Sequence, residues 1–115
     1  MKKKQTKRYN DGIVKLYREV PKRSSFSAKQ NVSVLDDMEF IVKLAYEEVS
    51  KREQDQEFAN QNDFSLALKI KTRYTKNIDN KCKAVINEWL YDVKYADKTK
   101  TEIYFYLEEV RKIDP

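Results

Sequence analysis

The stretch Phe64-Ser65-Leu66-Ala67-Leu68-Lys69-Ile70-Lys71-Thr72-Arg73-Tyr74 alternates without a break. Phe64, Leu66, Leu68, Ile70, Thr72 and Tyr74 fall on one side; Ser65, Ala67, Lys69, Lys71 and Arg73 fall on the other. Successive side chains of a strand point to opposite faces, so the pattern predicts one strand with a buried and a wet side. At about 3.3 Å per residue it would run roughly 36 Å, well beyond the common strand of about 5–6 residues. Strands that long bend or bulge around a barrel or a sandwich corner. The pattern therefore predicts a curved sheet.

Shorter patterns on either side agree. Asn10-Asp11-Gly12 is a turn signal, followed by Ile13, Leu16, Tyr17 and Val20 in a short strand or extended arm closed by Pro21. Lys22 to Asp37 is polar and lacks periodicity. Met38 to Val49 returns to strand, with Phe40, Val42, Leu44 and Tyr46 on one face. A hairpin is expected where Cys82, Ala84 and Ile86 lead through Asn87-Glu88 to Trp89, Tyr91, Val93 and Tyr95. A last strand carries Ile103, Phe105 and Leu107 to about Val110. The expectation is an all-β fold: a small β-barrel with one short helix and an extended N-terminal segment.

The helix is expected after Ser50-Lys51-Arg52-Glu53, which has the form of a capping box with Ser50 as the cap. Helix propensity lasts to Gln61, yet Phe58 and Ala59 are almost its only apolar residues. Such a helix is expected to lack an anchor on its own core and to need a partner. A surface helix laced by charge pairs is the plainer alternative.

The 115 residues hold 24 Lys and Arg against 19 Asp and Glu. Lys2, Lys3, Lys4, Lys7 and Arg8 stand among no acids, which leaves the rest of the chain electrically balanced. Residues 1–9 thus read as a flexible basic tail able to touch anionic surfaces such as DNA, and 10–115 as one domain. No apolar run approaches a membrane span and the basic start leads into no apolar core, so a setting in a cytoplasm, or in a particle assembled there, without a membrane partner is expected.

The same inventory argues against catalysis. There is no histidine, one glycine and a single cysteine, Cys82. The commonest general base, the commonest zinc ligand, phosphate-cradling glycine loops and thiolate clusters are all missing. Cys82 without a histidine reads as a small apolar core residue. The acid pairs Asp36-Asp37, Glu47-Glu48 and Glu108-Glu109 are neighbours on strands or loops and rarely converge on a metal. Neither an enzyme nor a cofactor is expected. Lys69, Lys71 and Arg73 with Tyr104 and Tyr106 could instead form the basic, aromatic platform of a single-stranded nucleic-acid-binding barrel. A subunit of an assembly would account for the polar helix, the long extended segment and the many tyrosines.

Four stretches favour the assembly. Leu44-Ala45-Tyr46-Glu47-Glu48-Val49, the polar run Ser50 to Asn62, Leu68-Lys69-Ile70-Lys71-Thr72-Arg73-Tyr74, and the pair Trp89-Leu90-Tyr91-Asp92-Val93 and Tyr106-Leu107-Glu108-Glu109 occur in this order. The order resembles the head-closure, or head–tail adaptor, proteins of long-tailed bacteriophages. The resemblance implies a barrel subunit of a homo-oligomeric ring, twelve-fold in the virion neck and assembled in the host cytoplasm. Portal and adaptor proteins would lie above it, tail proteins below, and DNA would pass through its channel. It further implies that the segment after Val49 narrows the DNA path. Ser50, Lys51, Arg52, Gln54, Gln56, Asn60 and Gln61 would then meet a partner or DNA phosphates, with Phe58 anchoring the helix to a neighbour.

Overall fold

A computed structural model defines residues 9–19, 38–79 and 81–113. The basic residues Lys2, Lys3, Lys4, Lys7 and Arg8, and the segment from Val20 to Asp37, lie outside the described residues. Six strands and one helix follow in chain order: β1 (Gly12–Glu19), β2 (Met38–Glu48), α1 (Glu53–Gln61), β3 (Leu68–Arg73), β4 (Cys82–Ile86), β5 (Trp89–Lys98) and β6 (Glu102–Lys112). All neighbours are antiparallel, and the sheet closes into a barrel in the order β1-β2-β3-β6-β5-β4. Strand β1 closes it by pairing with β2 on one side and with β4 on the other.

The interior is filled by Val14, Leu16, Tyr46, Ile70, Ile78, Cys82, Ala84, Ile86, Val93, Ile103, Phe105 and Leu107. Alternation puts Val14 and Leu16 of β1 inside, while Ile13, which looked like part of that strand's apolar face, points out and is 49% exposed. The β4–β5 hairpin turns in two residues, pairing Ile86 with Trp89, and Asn87 takes the positive φ of 56° that such a turn requires.

The long alternating stretch is shorter as a strand than its pattern suggests. Only Leu68–Arg73 joins the sheet. Phe64 and Leu66 are buried as expected, but in a separate cluster with Ala59, against which Phe58 and Tyr106 pack. The helix intercepts them: the Phe64 amide donates to the Ala59 carbonyl, and strand-like bonding begins only where the Ala67 amide reaches the Leu107 carbonyl. Two residues on the expected wet and dry faces are exchanged. Lys69 is buried and Tyr74 is 44% exposed.

Bulges explain the other failures of simple alternation. Pairings of Leu16 with Val42 and Tyr17 with Phe40 leave Ile41 as an extra residue in β2. Phe40 is thereby turned outward, where its ring meets Tyr17 edge-on at 5.6 Å. In β5 the register shifts between Val93 and Tyr95, so Val93 lies inside, Tyr95 outside, and Ala96 packs against the core again. Such bulges bend strands enough to close a small barrel.

Gly12 is tied to this closure. Its φ is +149°, and a Cβ there would sit 3.1 Å from the Tyr46 ring. Replacing Ile70, which is fully buried, with alanine is expected to cost about 2–5 kcal/mol in denaturant unfolding. Leu68→Ala should cost less, because Leu68 is only partly buried at the rim of the same core. Gly12→Ala should destabilise by about 1–3 kcal/mol through crowding against Tyr46.

Candidate functional surface around the helix

The connection from β2 to β3 carries α1. It leaves the sheet after the Val49 amide donates to the Lys69 carbonyl at 2.8 Å. The helix then starts two residues later than Ser50 as cap would place it: Arg52 is the N-cap, in extended conformation, and Glu53 the first helical residue. The reciprocal contact of the cap is made by Asp55, whose carboxylate accepts the Arg52 amide at 2.9 Å. Glu53 and Asp55 place negative charge in the first turn, where the helix dipole favours it.

Asp55 also fastens the helix to the barrel. Its carboxylate accepts from Lys69 Nζ at 3.0 Å and from the Tyr106 hydroxyl at 3.2 Å. The Asp55 and Lys69 side chains are each 9% exposed. Lys69 Nζ lies over the Tyr106 ring, 5.1 Å from its centre, and 5.8 Å from that of Tyr104. Burial raises the Asp55 pKa, but the Arg52 amide, the Lys69 ammonium and the Tyr106 hydroxyl together outweigh it and hold the carboxyl below its usual value. The Tyr106 phenol is pushed up to about 12 by burial and by the neighbouring Asp55 charge.

An aromatic cluster completes the mount. The Phe58 ring is 5.1 Å from Tyr95, 5.6 Å from Tyr106 and 6.1 Å from Phe64. The expectation that nothing within the chain secures the helix is therefore overturned, and Phe58 packs on its own barrel. Asp55, Phe58 and Ala59, the helix residues that turn inward, follow a three- and four-residue spacing. The inward stripe thus reads polar because its first member is an ion-paired acid. Ser50, Lys51, Arg52, Gln54, Gln56, Asn60 and Gln61 are all exposed. The structure gathers them on one connection, with Lys51 Nζ donating to the Ala67 carbonyl at 3.1 Å.

The basic row that suggested a nucleic-acid platform is largely paired within the chain. Lys69 is held by Asp55. Lys71 Nζ lies 3.6 Å from Glu47 and 3.8 Å from Glu102. The Arg73 guanidinium lies 5.2 Å above the Tyr9 ring. Tyr9, which the sequence placed in the tail, is buried, and its hydroxyl donates to Glu102 at 2.7 Å. Tyr9 thus belongs to the folded body. Burial and the Glu102 hydrogen bond push its phenol up to about 12.

Cys82 is buried, and desolvation raises its thiol pKa, as for a core cysteine. Among the described residues no group of three His, Cys, Asp or Glu could hold a metal ion, and no helix is long and apolar enough to cross a membrane. Sequence reasoning missed Asp55 and placed Lys69 and Tyr106 on a solvent-facing platform instead; the available signal was an acid at the third helical position, opposite a lysine in a tyrosine-rich sheet. No family model and no curated protein matches the chain.

Asp55→Asn should leave Lys69 buried without a counter-ion and cost up to about 3–5 kcal/mol, unless the helix undocks first and limits the loss. Because the folded pKa of Asp55 is lowered, its contribution is complete above the unfolded value of about 3.9 and fades as pH falls through the folded value. Amide signals of α1 should accordingly shift in acid below that point and not between pH 5 and 8. Tyr9→Phe should cost about 1.5–3 kcal/mol, since it removes a hydrogen bond to a carboxylate. Tyr9 has the opposite pH dependence, present below its usual value of about 10 and lost as pH rises through about 12. Deleting residues 1–8 should leave stability unchanged while lowering non-specific DNA affinity and its salt slope.

Proposed function

We propose that this chain is a structural subunit of a bacteriophage neck ring, joining the DNA-filled head to the tail and helping to retain the genome. The observation that carries the reading is a short polar helix fixed on the outside of a closed six-strand barrel. Its mounted face is buried with an ion pair, and its remaining faces offer uncharged and charged polar groups to a second molecule. That division suits a subunit whose work is done by shape and interface area. The four stretches that carry the resemblance fall on the end of β2, the α1 connection, β3, and the β5–β6 pair.

In this reading about twelve copies form the ring, portal and adaptor proteins meet it above and tail proteins below, and DNA threads its centre. Ser50, Lys51, Arg52, Gln54, Gln56, Asn60 and Gln61 face a neighbour or the DNA path. The basic residues Lys2, Lys3, Lys4, Lys7 and Arg8 supply non-specific attraction to DNA. The protein is assembled in the host cytoplasm, performs no reaction and needs no cofactor. The nucleic-acid-binding alternative has less support, because the lysine row that would form its groove is mostly paired with carboxylates.

Particles assembled without this chain should package DNA and then lose it, and adding the purified chain should restore both retention and tail joining. Particles that retain DNA and acquire tails without it, together with steeply salt-dependent binding of the free chain to single strands, would refute this function.

A further inference from the structure

Two pairs of like charges stand on opposite sides of the barrel. On α1, Glu53 and Glu57 are exposed and four residues apart, so their side chains emerge on one side of the helix, about 5–6 Å apart at Cβ. Across β1 and β2, Lys15 is paired in register with Lys43, and both are exposed. Directly opposed strand residues stand about 4.5–5.5 Å apart at Cβ. The two spacings match. Each arrangement is unfavourable alone, since like charges at these positions repel. Among the described residues, no carboxylate forms an ion pair with Lys15 or Lys43, and no cation forms one with Glu53 or Glu57.

The topology sets the two pairs back to back. Lys69, Tyr106 and Tyr95 mount α1 on β3, β6 and β5. In the barrel order, β6 is three strands from β1 in either direction and two from β2, so α1 lies across the barrel from Lys15 and on a different side from Lys43. Beside that pair an open cleft of about 300 Å³ is lined by Ile13, Lys15, Val85 and Asn87, and Ile13 is half exposed. The lysine face therefore combines unbalanced positive charge with apolar surface. The α1 face carries matching negative charge.

Building on the ring reading, we infer that a second copy of this chain occupies the lysine face: Glu53 and Glu57 of one subunit pair with Lys15 and Lys43 of the next. A contact between unlike, opposite faces is heterologous and repeats around a ring when its rotation closes. Charge complementarity of this kind fixes partner and register. The pairing also removes both repulsions at once, so each face gains more from the other than from a neutral surface.

The test compares full-length chains by the amount retained on DNA-filled particles, with thermal melting to confirm folding. Reversing one side, as Lys15→Glu with Lys43→Glu or as Glu53→Lys with Glu57→Lys, should lower retention by about ten-fold or more. Combining all four reversals should restore it to within about three-fold of the unmodified chain. A Lys15→Cys, Glu57→Cys chain oxidised on the particle should give a ladder of covalent multimers, whereas either single replacement should give none. Several outcomes overturn the inference. If the unmodified chain is retained but either reversal is harmless, or the four-fold reversal does no better than the worse double, the contact lies elsewhere and the ring reading stands. If only the lysine reversals matter, another acidic partner covers that face. If the unmodified chain is not retained at all, the ring reading falls and the contact with it.

Discussion

The buried pair of Asp55 and Lys69 governs what this molecule presents to its surroundings. A nine-residue helix with Phe58 and Ala59 as its main apolar residues would not persist by propensity alone. Removing two charges from water is costly, and such a pair is tolerated only when its remaining hydrogen-bonding groups are satisfied. Here the carboxylate takes the Arg52 amide, the Lys69 ammonium and the Tyr106 hydroxyl, while the ammonium lies over tyrosine rings. These bonds are directional, as apolar contact is not. They fix the angle and rotation of α1 on the barrel, and with them the positions of every outward residue from Lys51 to Gln61.

The barrel supplies a platform for that arrangement. Strand β1 is hydrogen-bonded on both edges, which removes the open edges that a sheet of this size would otherwise expose. The narrowest junction is between β2 and β3, where only Glu47–Lys71 and Glu48–Ile70 pair in register. That seam is reinforced by side chains. Lys71 bridges Glu47 and Glu102, and Tyr9 crosses to Glu102 beneath Arg73. The α1 connection emerges beside this seam, so the reinforcement also steadies the base of the proposed contact surface. The neck-ring reading draws on both features, a closed body and a rigid attachment.

Much of the fold was legible because barrel strands carry a period of two. The β4–β5 hairpin, its Asn87 turn, and the inward row Ile103, Phe105 and Leu107 were all readable from alternation and turn chemistry. What misled was local. One extra residue, Ile41, turned Phe40 outward, and a bulge is invisible in a count of alternating residues. The run from Phe64 kept its alternation while leaving the sheet, because burial under a helix and burial in a barrel give the same pattern. The site was less legible than the fold. The exposed polar residues of α1 were found from composition, but Lys69 read as wet and Asp55 as one more polar residue. Their burial depends on two segments meeting in space, which neither segment records alone.

The mount itself can be measured by a double-mutant cycle on Asp55 and Lys69. The unmodified chain, Asp55→Ala, Lys69→Met and the combined variant would be unfolded in urea, with a probe on α1. If the pair fixes the helix, the two losses will be strongly non-additive, with a coupling of about 2–3 kcal/mol. The combined variant will then be closer to the unmodified chain than the sum of the single losses allows. Additive losses, with a coupling below about 0.5 kcal/mol, would mean that the helix is held by its aromatic contacts alone and would contradict this account.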